Sequence, residues 1–108
     1  NTHLHSMLGF IKKLFGPGVD LAEKMNEGAV IVDVRSPAEY AGGHVKGSKN
    51  IPLGKIESKM NTIKKWNKPV ITCCASGMRS GAAKRILKSN GYTEVHNGGG
   101  WMSLQNKI

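Results

Sequence analysis

The sequence predicts an α/β domain with a mostly parallel central sheet flanked by helices. Three observations predict it: two continuous apolar runs of strand length, "AVIVDV" at 29–34 and "PVITC" at 69–73, stretches with helical spacing of apolar residues between and after them, and glycine or proline at most junctions. Continuous apolar runs, in place of strict alternation, suit strands buried on both faces. A chain of 108 residues supplies one modest core and has no internal repeat.

Residues 1–18 read as a leader. Within it Met7, Leu8, Ile11, Leu14 and Phe15 share one helical face, with Lys12 and Lys13 off it, before "GPG" breaks the pattern. So short an amphipathic helix with two lysines is expected to dock on its own domain, since it is a weak membrane anchor. Residues 1–7 have no hydrophobic period and read as an added segment ahead of a native start at Met7, and a first residue of Asn1 leaves room for an upstream segment that was removed. His3 and His5, one residue apart with no third ligand nearby, suggest no metal site.

The domain is expected over 19–108. Asp20 and Glu23 have capping-box spacing and Gly28 supplies a stop, predicting a helix at about 21–26. After the first buried strand, Ser36, Pro37 and Glu39 form an N-cap, first-turn proline and N3 acid, and Gly42 with Gly43 ends that helix. "GSKNIPL" reads as an extended segment, and apolar residues at 56, 60, 63 and 66 predict a helix over 56–66 with lysines 55, 59, 64 and 65 outside. The second buried strand leads into "RSGAAKRILKSNG", a helix packing through Ala83, Ile86 and Leu87 and capped by Gly91. "YTEVHN" is a third strand candidate, Gly98, Gly99 and Gly100 are expected to make a tight turn, and a short helix begins near Trp101.

Sixteen Lys plus Arg against seven Asp plus Glu give a formal charge of +9, which favours anionic partners without naming one. Seven lysines fall within 46–68 with Trp66 as the sole aromatic among them, a solvated lysine face poor in the arginines and stacking rings of a nucleic-acid reader. No nucleic-acid partner is expected. No run approaches the roughly 18 apolar residues of a membrane span, so no stable membrane insertion is expected either. Without an intact secretory signal the expected location is cytoplasmic, or periplasmic if an upstream signal was removed.

Cys73 and Cys74 are adjacent, with Cα atoms about 3.8 Å apart, below the usual disulfide span, so they read as two thiols. They end the second buried strand just before a helix, the place where open parallel sheets gather ligands. A thiolate is the reactive form of cysteine, and a helix N-terminus with a nearby cation lowers its pKa. Ala75, Ser76 and Gly77 are small enough to let backbone N–H groups turn inward as an anion nest, and Arg79 adds a permanent charge. Two registers are open: five residues intervene between Cys73 and Arg79, the spacing of cysteine phosphatases, and four between Cys74 and Arg79.

The pieces "VDVRSPAEYAGGHVKGSKNIPL", "CASGMRS", "GY" at 91 and "V" with "GG" near 95–99 resemble a rhodanese domain, in order and spacing, over about residues 19–101. The resemblance implies a single-domain α/β sulfurtransferase. Cys74 matches the catalytic cysteine that carries a persulfide, Ala75, Ser76, Gly77, Met78 and Arg79 the substrate-binding loop, and Cys73 the position before the nucleophile. Asp33, Arg35 and Ser80 are expected to support the loop, with Asp33 and Arg35 as a charge pair matching the family's "DVR". Glu39 is assigned to its helix cap and His44 to a turn. The expected partners are a small anionic sulfur donor and a thiol or cyanide-like acceptor, a protein acceptor included, with no cofactor and no metal. Family members that favour thiosulfate often carry a basic residue after the cysteine, where this chain has Ala75, so a persulfide is an equally suitable donor. Two alternatives stay open: a phosphatase using Cys73, for which Thr72 stands where a histidine is usual, and a non-catalytic sulfur carrier docking a protein through the lysine face.

Overall fold

A computed structural model describes residues 19–108. The amphipathic helix expected at 7–15 lies outside the described residues. Four parallel strands, β1 (Val30–Asp33), β2 (Lys49–Asn50), β3 (Val70–Cys74) and β4 (Val95–Gly100), form one sheet in the order β2-β1-β3-β4. Five helices accompany them: α1 (Leu21–Asn26), α2 (Pro37–Ala41), α3 (Met60–Trp66), α4 (Met78–Ser89) and α5 (Trp101–Lys107). None of them is long and apolar enough to cross a membrane.

The apolar runs become the two central strands, and strand alternation sends their side chains into two separate cores. On one face Val32, Val70, Cys74 and Val95 pack with Ile56, Met60 and Ile63 from the α3 side and with Ala83 and Leu87 of α4. On the other, Ile31, Ile71 and Cys73 pack with Ala29, Val45 and Leu104 of α5, with Leu21 and Met25 of α1 against them. Helices therefore cover both faces, as parallel strands require.

Local signals account for most boundaries. The Asp20 side chain caps α1 by accepting the Glu23 N–H at 3.3 Å, one half of the expected box. The Ser36–Glu39 box forms in full, with Glu39 N–H donating to Ser36 Oγ at 3.2 Å and Ser36 N–H to Glu39 Oε1 at 3.1 Å. His44 holds its turn as expected, its Nδ1 2.7 Å from the Tyr40 carbonyl and its ring stacked on Tyr40. The chain leaves α4 through Gly91 at φ +92°, with Tyr92 N–H reaching back to the Leu87 carbonyl.

Two expectations are corrected. The helix expected over 56–66 starts as two 3-10 turns, Leu53–Lys55 and Glu57–Lys59, and becomes α-helical only at Met60. No side chain caps these starts, and burial of Ile56, Met60 and Ile63 fixes the path whatever the helix type. The three glycines expected to make a turn instead complete β4. A Cβ at Gly98 would lie 2.9 Å from Ile71 Cγ2 and from the Thr72 carbonyl oxygen, and one at Gly100 would lie 2.8 Å from the Ala75 carbonyl oxygen. Close backbone approach demands glycine at 98 and 100, and a φ of +78° favours it at 99.

Because the Thr72 carbonyl belongs to the central strand and yields little, Gly98→Ala is expected to destabilise the fold by about 1–3 kcal/mol. Urea unfolding of the two proteins measures this, and an unchanged midpoint would show that β4 relaxes freely.

Candidate functional site

The end of β3 and the start of α4 are joined by residues 75–77, and the whole candidate site is organised around this junction. The N-cap of α4 is Gly77, with φ +105° and no side-chain cap hydrogen bond. An uncapped helix start leaves N–H groups that need an acceptor. The Cys74 sulfur is that acceptor: Gly77 N–H points at Sγ across 2.9 Å.

Cys74 is 1% exposed, under a loop whose Ala75, Ser76 and Met78 are themselves exposed, Met78 to 83%. Burial alone raises a thiol pKa and is the largest single influence on Cys74. The contact with the Ser80 side chain and the backbone N–H groups of Ser80, Gly77 and Ser76 together outweigh it, so the thiol is held below its ordinary value. Among the described residues the backbone donor that meets the hydrogen-bond geometry to Sγ is Gly77 N–H.

Cys73 has the opposite environment. It faces the other core, fully buried. Desolvation first, then the carboxylate of Asp33 paired with it across the sheet, pushes its pKa up to about 12 against a smaller opposing pull from Arg35. Cys74, where the sequence reading ended the strand one residue earlier, is itself the last residue of β3.

The expected charge pair is present. Arg35 Nη2 lies 2.7 Å from Asp33 Oδ2, and the same nitrogen donates to the Gly43 carbonyl at 2.7 Å while the guanidinium sits 4.9 Å from the Trp101 ring centroid. These contacts tie the end of β1 to the loop after α2 and to α5. They do not extend to the Cys74 sulfur.

Arg79 has a side-chain partner of its own besides its Coulombic coupling to Cys74. Its guanidinium grips Glu39 in a two-pronged pair, Nη1 to Oε1 at 2.7 Å and Nη2 to Oε2 at 3.0 Å. The guanidinium first, then the Ser36 backbone N–H, lowers the Glu39 pKa to about 2. Glu39 thus caps α2 and latches the first turn of α4, and only the cap was legible from local spacing.

Two further residues complete the junction. Thr72, buried beside Cys74, donates its hydroxyl to the Ser80 carbonyl at 2.9 Å. Asn97 of β4, missed in the sequence, accepts the Ser80 hydroxyl at 2.6 Å and the Gly99 N–H at 2.9 Å through Oδ1 and donates to the Gly77 carbonyl at 3.2 Å. A lone asparagine ahead of glycines carries no spacing signal that would have marked it.

The chain is thus a small α/β domain with a four-stranded parallel sheet and a buried thiol at a strand-to-helix junction. The chain belongs to the rhodanese-like domain family, whose family model matches residues 19–107. It is 42% identical over 81 residues to the uncharacterized protein YqhL of Bacillus subtilis, covering 74% of this chain and 64% of that protein, and so spans just under two thirds of that relative. It is 43% identical over 70 residues to the thiosulfate sulfurtransferase PspE of Escherichia coli, covering 64% of this chain and 67% of that protein. A solved rhodanese with anions from E. coli superposes with a TM-score of 0.65 at 39% identity, over 69% of this chain and 89% of that one.

The latch generates a pH prediction. The folded pKa of Glu39, about 2, lies below the unfolded value of roughly 4.3, so its contribution is fully present above the unfolded value and is lost as pH falls toward 2. Glu39→Gln, which keeps the cap acceptor and removes the charge, is expected to lower the melting temperature at pH 7. The gap from wild type should narrow steadily below about pH 4, as read by thermal unfolding at several pH values. A gap independent of pH would mean that the pair adds nothing.

Proposed function

We propose that the chain is a rhodanese-type sulfurtransferase that moves a sulfane sulfur through a persulfide on Cys74. The single observation that carries this reading is the Cys74 sulfur seated at the uncapped N-terminus of α4, accepting the Gly77 N–H at 2.9 Å. The relatives named thiosulfate sulfurtransferases support the same chemistry.

The Cys74 thiolate attacks the outer sulfur of a donor such as thiosulfate. A Cys74–sulfur bond forms, the donor's own sulfur–sulfur bond breaks, and sulfite departs with the electron pair. The terminal sulfur of the resulting persulfide carries negative charge that the loop N–H groups are oriented to hold. A thiol or cyanide-like acceptor then attacks that sulfur, and Cys74 leaves as the thiolate, ready for another cycle. Neither step needs a side-chain base once the thiolate exists.

Three features bear on the donor. Cys74 is 1% exposed, so the attacked atom must be slim and reach in from the loop mouth. Arg79 is already neutralised by Glu39, and Ala75 and Met78 add no charge, which leaves backbone N–H groups as the main anion ligands. A small persulfide meets these demands as well as thiosulfate does. The phosphatase alternative would require Cys73, whose pKa near 12 leaves almost no thiolate at neutral pH.

The test uses intact mass and peptide mapping after exposure of the reduced protein to thiosulfate and, separately, to a small persulfide. One added sulfur on Cys74 is expected, with loading lost in Cys74→Ser and retained in Cys73→Ala. Loading that survives Cys74→Ser, or aryl phosphate hydrolysis that disappears with Cys73→Ser, would overturn the assignment.

A further inference from the structure

The Ser80 hydroxyl has one proton and two places to send it. Cys74 Sγ lies 3.4 Å from Ser80 Oγ, and Asn97 Oδ1 lies 2.6 Å from the same oxygen. The orientation of the Asn97 carboxamide is fixed by its other two bonds. Gly99 N–H at 2.9 Å needs an acceptor, so the oxygen must face Gly99 and Ser80, and the nitrogen then donates at 3.2 Å to the Gly77 carbonyl, which also accepts the Gly81 N–H. Ser80 therefore donates to Asn97 at rest, and its lone pairs are left to accept the Cys74 S–H.

We infer that Asn97 is a positioning residue that sets the ionisation of Cys74 by competing with its sulfur for the Ser80 proton. While Asn97 holds that proton, the chain Cys74 S–H to Ser80 Oγ to Asn97 Oδ1 favours the thiol. When the thiol loses its proton to solvent, the Ser80 O–H rotates onto Sγ, and Asn97 Oδ1 keeps only the Gly99 N–H. Its remaining partner spares Asn97 an unsatisfied acceptor in that state, so the rotation leaves no orphaned group. The resting thiol is thereby protected, and the hydroxyl remains one rotation away from the thiolate.

Other charges near the sulfur belong to neighbouring elements. Arg79 on α4 is bonded to Glu39 of α2, Asp33 and Arg35 stand at the end of β1, and the Cys73 thiol lies on the far face of β3. None of them makes a hydrogen bond to Ser80 or Asn97 among the described residues, so substitution of Asn97 changes this contest without breaking an ion pair.

The role rests on Cys74 being the working thiol, but its test does not require sulfur transfer. The rate of iodoacetamide alkylation of Cys74 against pH, mapped to its peptide, gives the midpoint of ionisation for each protein. Asn97→Ala removes the rival acceptor and is expected to lower the midpoint by roughly 0.5–1 pH unit. Asn97→Asp makes the rival stronger and brings a negative charge, and is expected to raise it. The Asn97→Ala shift should vanish in a Ser80→Ala background, because the effect passes through that hydroxyl.

Shifts of opposite sign, with the alanine effect absent without Ser80, support the role. Shifts of the same sign, no shift, or an alanine effect that survives Ser80→Ala would overturn it and leave Asn97 as a brace for the Gly77 carbonyl. If instead the wild type accepts no sulfur from any donor while these shifts appear as expected, the sulfurtransferase reading fails and the positioning role stands.

Discussion

A helix that starts three residues after a buried strand presents amide N–H groups with no carbonyl to meet them, and in this chain a sulfur atom meets them. That one constraint orders its surroundings. Gly77 must adopt φ +105° to aim its N–H inward, and Gly100 must lack a side chain so that β4 can pass beneath Ala75. Ser80 must be buried to reach the sulfur, which in turn obliges Thr72 and Asn97 to satisfy its carbonyl and its hydroxyl. The interaction that completes the helix is the same one that favours the anion, so structural order and reactivity are not in competition here.

The neighbouring cysteines show how far environment outweighs residue type. One backbone step along a strand reverses the face, and that step separates a thiol surrounded by N–H and O–H donors from one enclosed by Ile31, Ile71 and Leu104. Asp33, needed to pair with Arg35 at the sheet end, further opposes ionisation of Cys73. Two thiols that the sequence leaves as rivals are thus separated by the pleat of the sheet and by one buried carboxylate.

Much of the fold was legible because its signals are local. Caps, glycine stops and continuous apolar runs fix α1, α2, α4 and the central strands within a residue or so. The misread elements are those where long-range packing decides. The segment before α3 runs as two 3-10 turns on either side of the buried Ile56, and Gly98 and Gly100 of β4 answer to Thr72 and Ala75, which are distant in sequence. The same division holds at the site. Cys74 and its small loop announce themselves by spacing, and Asp33 with Arg35 by adjacency. Glu39 gripping Arg79, forty positions on, and Asn97 gripping Ser80, seventeen positions back, become visible only when the sheet brings them together.

The central claim is that the Gly77 amide and its neighbours favour ionisation of Cys74, and the Gly77 amide itself is the most direct witness. Its nitrogen and proton chemical shifts, followed against pH by NMR in a Cys73→Ala protein, should titrate with a midpoint below the roughly 8.5 of a free thiol, in step with ionisation of Cys74. A Gly77 amide that ignores pH, or titrates at or above that value, would mean that the helix N-terminus does not stabilise the anion and would contradict the account.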